Sequence, residues 1–211
     1  VRVVVLAGAG ETFSAGADLM GFLPELQGPK ALQTADLGRR AAEALAALPQ
    51  PTIACIQGAC VGGGVVLSSA CDLVMAAATA RFRVPEIDLG VPLAWGGTTR
   101  LVCKIGPAAA ADLIMTCRWF DAQEARELGL ISRVIPSDEL VKVVAETAEA
   151  LAAKPRRPLR ITKAQIARAV AGTPDDPADA QALLDTLRDA EAMEAAQKYF
   201  AETLRARASG A

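Results

Sequence analysis

The sequence contains no histidine. That absence removes Ser-His-Asp and Cys-His catalytic arrangements and every histidine-ligated metal site. Acid–base chemistry must then fall to Asp, Glu, Lys, Tyr or Cys. A basic excess is also missing: 22 Lys and Arg stand against 24 Asp and Glu, a net charge of −2, which argues against a nucleic-acid surface. No apolar run reaches the roughly 18 residues of a membrane span. The opening VRVVVLAGAG carries no cleavage-site pattern and reads as a strand followed by a glycine turn. No CxxC pair occurs among the five cysteines, Cys55, Cys60, Cys71, Cys103 and Cys117. Their odd number and apolar settings predict buried, reduced thiols and a cytoplasmic protein. No GxxxxGK[ST] phosphate loop is present. Gly8-x-Gly10 begins like a dinucleotide fingerprint, but Phe13 stands where its third glycine belongs and Glu11 would face a pyrophosphate.

What is present suits one domain, or one domain with an appendage: 211 residues, 52% of them apolar. Val1–Leu6 is a β-branched run expected to form a strand buried on both faces. Further strands are expected at Pro51–Ile56, Leu73–Ala77, Arg81–Val84 and Leu130–Ile135. Between them lie helical patterns at Ala31–Leu48, Val65–Ala70, Thr98–Ile105 and Pro107–Cys117. Asp121 reads as the N-cap of a helix over Ala122–Leu128 that Gly129 ends. From Ser137 onward only helices are expected, over Ser137–Lys154, Leu159–Ala171 and Ala178–Arg207. The pattern is α/β, with a core over residues 1–135 and a helical region over 136–211. No repeat of fixed period is visible. The chain opens in full strand pattern without a methionine, as if entering a domain already under way, which suggests that a first N-terminal unit is absent from it.

GACVGGGVVLSSACD, Gly58 to Asp72, sets three glycines in front of a short apolar helix. Glycine is unfavourable in a helix by about 1 kcal/mol relative to alanine. A helix N-terminus, however, presents free N–H groups, and a backbone without Cβ atoms lets another group come close. An oxyanion hole has those requirements. Close helix–strand packing would favour the same glycines, and spacing alone does not separate the two readings.

Four blocks taken together resemble the crotonase superfamily, the enoyl-CoA hydratase/isomerase family. They are FSAGAD (Phe13–Asp18), PTIACIQGACVGGGVVLSSACD (Pro51–Asp72), FRVPEIDLGVPLAWGGTTRL (Phe82–Leu101) and FDAQEARELGLISRV (Phe120–Val134). The resemblance implies a core of repeated ββα units and C-terminal helices that assemble trimers or dimers of trimers. It implies an acyl-CoA thioester substrate, with coenzyme A as part of that substrate and no separate cofactor or metal. It maps the family's two oxyanion-binding N–H groups to Ala17 and Gly63, with Gly62 beside them. The backbone near Ala15 and Leu19 would meet the adenine of CoA, and Asp18 of the same motif joins the substrate-binding set. About 45 residues that usually precede the first strand in the family have no counterpart here.

The resemblance also exposes a departure. Hydratases of the family flank the acyl chain with two glutamates that share a water. One maps to Glu86; the other position is Val66, which cannot bind or activate water. Asp88, Asp121 and Glu124 are the nearest acids in sequence that could replace it. Glu86 lies among Val84, Ile87, Leu89 and Val91, company that raises a carboxyl pKa when buried; its alternative is a surface ion pair with Arg81 or Arg83. Leu93, Ala94 and Trp95 are acyl-pocket candidates with Val66, although Trp95 could equally be a plain core residue. Alanine at position 94 argues against dienoyl isomerisation, for which some members carry an acid there. One carboxylate above an enolate site suits moving a double bond, from 3-enoyl-CoA to 2-enoyl-CoA. The alternatives are 2-enoyl-CoA hydration with one glutamate, or a non-catalytic acyl-CoA binder.

Overall fold

The computed structural model describes residues 1–18, 21, 24–173 and 178–208. Two sheets organise it. The larger is parallel, in the order β1 (Val4–Ala7), β2 (Thr52–Ile56), β4 (Leu73–Ala77), β7 (Arg133–Ile135). The smaller has the order β3 (Ala59–Val61), β5 (Arg81–Arg83), β6 (Phe120–Asp121), with β3 and β5 parallel and β6 antiparallel. From β2 to β5 consecutive strands thus alternate between sheets, and each pair is followed by a helix. β2 and β3 lead to α2 (Gly63–Ser69), and β4 and β5 lead to α3 (Gly97–Thr116). This is the repeated ββα unit that the resemblance implies.

The apolar runs explain the central strands. Every residue of β2 is buried, and so are Val74 to Ala77 in β4, as expected for a parallel sheet covered on both faces. α5 (Leu140–Ala152) packs on both strands. Ile53, Ile56, Met75, Leu101, Leu113 and Leu140 fill the core between the layers. In the smaller sheet Phe82 and Phe120 stack across β5 and β6 with ring centroids 5.4 Å apart.

Several elements differ from expectation. β1 is an edge strand rather than a strand buried on both faces: among the described residues it pairs only with β2, its burial alternates, and Val5 is 42% exposed. β3 and β6 escape sequence reading because two or three residues are too few to show a period. The two helices expected at Thr98–Ile105 and Pro107–Cys117, by contrast, are both present: Gly106, at φ +77, breaks α3 between them just before Pro107. Asp121 accepts the Glu124 N–H at 2.8 Å and caps α4 (Ala122–Glu127). The expected helix over Ala178–Arg207 is two helices, α7 (Ala178–Thr186) and α8 (Ala190–Ala208). The chain breaks there because Asp189 accepts the Ala192 N–H at 3.0 Å, starting a second helix. Four cysteines are buried as free thiols, but Cys103 is exposed on the outer side of α3.

One polar cluster ties the helical layer to the sheet. Asp72 Oδ2 accepts from Thr52 N at 2.7 Å, Thr52 Oγ1 at 2.9 Å and Lys163 Nζ at 2.7 Å. Lys163 also donates to the Gln50 carbonyl at 3.0 Å. It lies on α6 (Arg156–Val170), a helix with no fully buried residue. Asp72→Ala strands the Thr52 N–H on a residue with no exposed surface, at a cost of about 1–3 kcal/mol. We expect a lower urea midpoint with an unchanged m-value; an unchanged midpoint would show the cluster to be decorative.

Candidate active site

The site starts from a strand pairing. Ser14 bridges to Cys60 in parallel register, with Ser14 N donating to the Ala59 carbonyl and Val61 N to the Ser14 carbonyl, each at 3.0 Å. Ala17 follows Ser14 by the same interval that Gly63 follows Cys60, so the register carries both toward one end of β3. Among the described residues neither the Ala17 N–H nor the Gly63 N–H has a hydrogen-bond partner. Both residues line one cavity of about 260 Å³.

Gly62 makes the turn that aims this backbone. Its φ of +51 and ψ of −114 are reserved for glycine. Its N–H donates to the Arg83 carbonyl at 2.9 Å, which pins the turn to β5 and brings the following residues across from it. A Cβ on Gly62 would stand 2.7 Å from Glu86 Oε1, and one on Gly63 would stand 2.3 Å from Trp95 Cζ3. The glycines therefore permit close packing, and among the described residues the Gly63 N–H is left without a hydrogen-bond partner. The loop after Glu86 folds back on it, with the Glu86 carbonyl accepting from Leu89 N at 3.1 Å and Val91 N at 3.0 Å. That closure brings Leu89 and Val91 to the cavity wall.

Glu86 is half-buried, and among the described residues it is the one ionisable side chain lining the cavity. Its Oε2 is buried with no hydrogen-bond partner among those residues. Burial in apolar company pushes its carboxyl above the ordinary value of 4.5, partly offset by a backbone hydrogen bond. The ion pair with Arg81 or Arg83 does not form. Arg83 binds Asp88 at 2.7 Å and the Cys117 carbonyl at 2.7 Å, and both guanidinium groups lie over Trp119. The three candidate replacement acids are engaged elsewhere: Asp88 with Arg83, Asp121 as a helix cap, and Glu124 with Arg118.

Of the other residues expected at the site, Ala15, Gly62 and Val66 line the same cavity, as do Leu93, Ala94 and Trp95. Val66 presents an apolar side chain there, 1% exposed. Trp95 is half-buried against two glycine backbones rather than enclosed in the core. Asp18 does not join the cavity: it borders a neighbouring one and accepts the Gly21 N–H at 3.2 Å. Leu19 lies outside the described residues. Pro85, Leu89 and Pro92 also wall the cavity; they belong to the same motif block as Glu86, but apolar loop residues carry no chemical signature of their own.

A half-buried carboxyl whose pKa is raised on folding makes the fold less stable when ionised. Its folded pKa lies above the unfolded value, so its contribution is full below about pH 4.5 and is lost as pH rises through the folded pKa. Glu86→Gln should therefore stabilise the protein at neutral pH and flatten the fall in thermal midpoint across that interval. A wild-type carbon-13 titration placing the Glu86 carboxyl at or below 4.5 would contradict this.

Comparisons place the chain among known proteins. Residues 1–208 match the family model described as Enoyl-CoA hydratase/isomerase. The chain is 40% identical over 169 residues to the "Probable enoyl-CoA hydratase echA8" of Mycobacterium bovis, a match covering 80% of this chain and 65% of that protein. It is 34% identical over 165 residues to the crotonyl-CoA hydratase of Syntrophomonas wolfei, covering 78% and 63%. The matched stretch thus spans under two thirds of these relatives' own lengths. Among solved structures, an enoyl-CoA hydratase/carnithine racemase from Magnetospirillum magneticum superposes with a TM-score of 0.88 at 34% identity, covering 96% of this chain and 76% of that one. An enoyl-CoA hydratase from Bacillus anthracis does so with 0.85 at 34%, covering 96% and 79%.

Proposed function

The chain belongs to the enoyl-CoA hydratase/isomerase family, and from that premise we propose that it moves the double bond of a 3-enoyl-CoA thioester to the 2-position, with Glu86 as the proton shuttle. The observation that carries this reading is that, among the described residues, one carboxyl lines the cavity, its Oε2 buried without a hydrogen-bond partner and its surroundings apolar. Glu86 takes the proton from C2 of the substrate. The C–H electron pair moves into the acyl system, and negative charge collects on the thioester oxygen. The N–H groups of Ala17 and Gly63 stabilise that oxygen in the transition state. Glu86 then returns the same proton at C4, leaving the double bond between C2 and C3. Atoms and charge balance without water, metal or cofactor. A carboxyl of raised pKa suits both halves of the transfer, since a base poised closer to the working pH is regenerated more readily.

The printed names of two relatives, crotonyl-CoA hydratase and short-chain-enoyl-CoA hydratase, favour a second reading, hydration of a 2-enoyl-CoA. Val66 weighs against it, because among the described residues no second acid lines the cavity with Glu86 to hold the attacking water. Glu86→Gln should lower kcat on a 3-enoyl-CoA by about 10²–10⁴-fold, with little change in acyl-CoA affinity. Unchanged turnover would remove Glu86 from the mechanism. Faster wild-type turnover of crotonyl-CoA by water addition would install the hydratase reading. Tight binding without turnover of either thioester would leave an acyl-CoA binder.

We also propose a homotrimer or a dimer of trimers. Leu183, Leu184, Leu187, Met193, Tyr199 and Phe200, on α7, α8 and the turn between them, are all at least 47% exposed, a concentration that suits a buried interface. Sedimentation equilibrium should give three or six times the chain mass; a monomer at micromolar concentration would refute this.

A further inference from the structure

Trp95 holds an uncommon backbone conformation. Its φ is +60, which a bulky residue keeps only when its surroundings hold it there. The surroundings are two glycine backbones. A Cβ on Gly38 of α1 (Ala31–Ala46) would lie 1.9 Å from Trp95 Cδ2, and one on Gly63 would lie 2.3 Å from Cζ3. The indole is therefore wedged between α1 and the first residue of α2. Among the described residues its N–H has no hydrogen-bond partner, so packing alone fixes the ring.

A second cavity, of about 490 Å³, lies beyond this ring. Ala17 and Trp95 border both cavities, and Leu37, Ala41 and Leu67 give the second its apolar walls. We propose that Trp95 is the end wall of the acyl pocket, restricting the enzyme to short acyl chains, and that the second cavity is the space a longer chain needs. The inference rests on reading the first cavity as the acyl-thioester site.

Three observations lead there. A thioester oxygen between the Ala17 and Gly63 amides puts the acyl chain beside Gly63, and Gly63 touches the indole. The first cavity, at about 260 Å³, falls below the roughly 300–1,000 Å³ usual for ligand pockets. Among the described residues the ionisable groups on the second cavity are Asp18 and Glu25, both acidic. Carboxylates repel the phosphates of CoA, whereas leucine and alanine walls accept hydrocarbon. An acyl tail is therefore the occupant that fits behind the ring.

The test measures binding of hexanoyl-CoA and dodecanoyl-CoA to the wild type, Trp95→Ala and Trp95→Ala/Leu67→Phe by calorimetry. The wild type should prefer the shorter chain. Trp95→Ala should shift the affinity ratio toward the longer chain by about fourfold per methylene admitted to the second cavity. Leu67→Phe, which narrows that cavity, should take most of the gain back. Trp95→Phe keeps an aromatic wedge and should move the ratio the same way by less, so the idea stays testable if the alanine variant unfolds. A ratio unchanged in Trp95→Ala and Trp95→Phe, or a wild type that binds both chains equally, would overturn the wall and leave the thioester site standing. Binding of neither chain by the wild type would overturn both.

Discussion

The hydrogen bond from the Gly62 N–H to the Arg83 carbonyl holds the two halves of the site together. At 2.9 Å it joins the glycine turn to β5, and Glu86 follows β5 after only a short connection. Because Gly62 has no side chain, the turn comes within reach of the Glu86 carboxyl. The same turn begins α2, whose first residue presents the open Gly63 N–H. The Glu86 carboxyl and the open Gly63 N–H, the proposed proton acceptor and oxyanion donor, thus come from different ββα units, and the approach of their backbones is set by main-chain geometry. Preorganisation of this kind allows stabilisation of developing charge without rearrangement at the moment of reaction.

The carboxyl itself depends on isolation. A basic partner would hold Glu86 ionised and lower its pKa. Arg81 and Arg83 are close in sequence, yet strand alternation turns them toward Trp119, and Asp88 takes up Arg83. The neighbouring acids are absorbed in the same way by a cap and by Arg118. The surface network therefore keeps both charges and competing acids off the cavity, and burial, partly offset by a backbone hydrogen bond, governs the protonation of Glu86.

Much of this is legible in the sequence, for identifiable reasons. β2 and β4 announce themselves because both faces are buried, leaving a continuous apolar run. Asp121 is legible because a cap needs only local spacing. The glycine triplet and Glu86 are legible through their motif blocks, and Val66 through its departure from them. The bridge between Ser14 and Cys60 is not, because it joins distant segments through single residues. The unusual φ of Trp95 is equally hidden, since its cause is tertiary: two bare backbones supplied by different helices. Asp18 belongs to the motif that carries Ala17, yet it borders the neighbouring cavity instead, a placement that motif membership does not reveal. The outer face of β1 misleads for a related reason: β-branched composition reports strand formation and does not distinguish a central strand from an edge.

The Asp72 cluster bears on how the molecule comes apart. α6 buries no residue completely, and its main polar attachment to the sheet runs through the Lys163 ammonium, bound to Asp72 and the Gln50 carbonyl. Detaching it uncovers little apolar surface, whereas separating β2 from β4 uncovers the centre of the core. α6 is thus a low-cost opening unit, fastened to the sheet by this polar cluster. Its amides should exchange with solvent through partial opening and become more accessible as salt screens the Lys163–Asp72 pair, while those of the central strands wait for global unfolding.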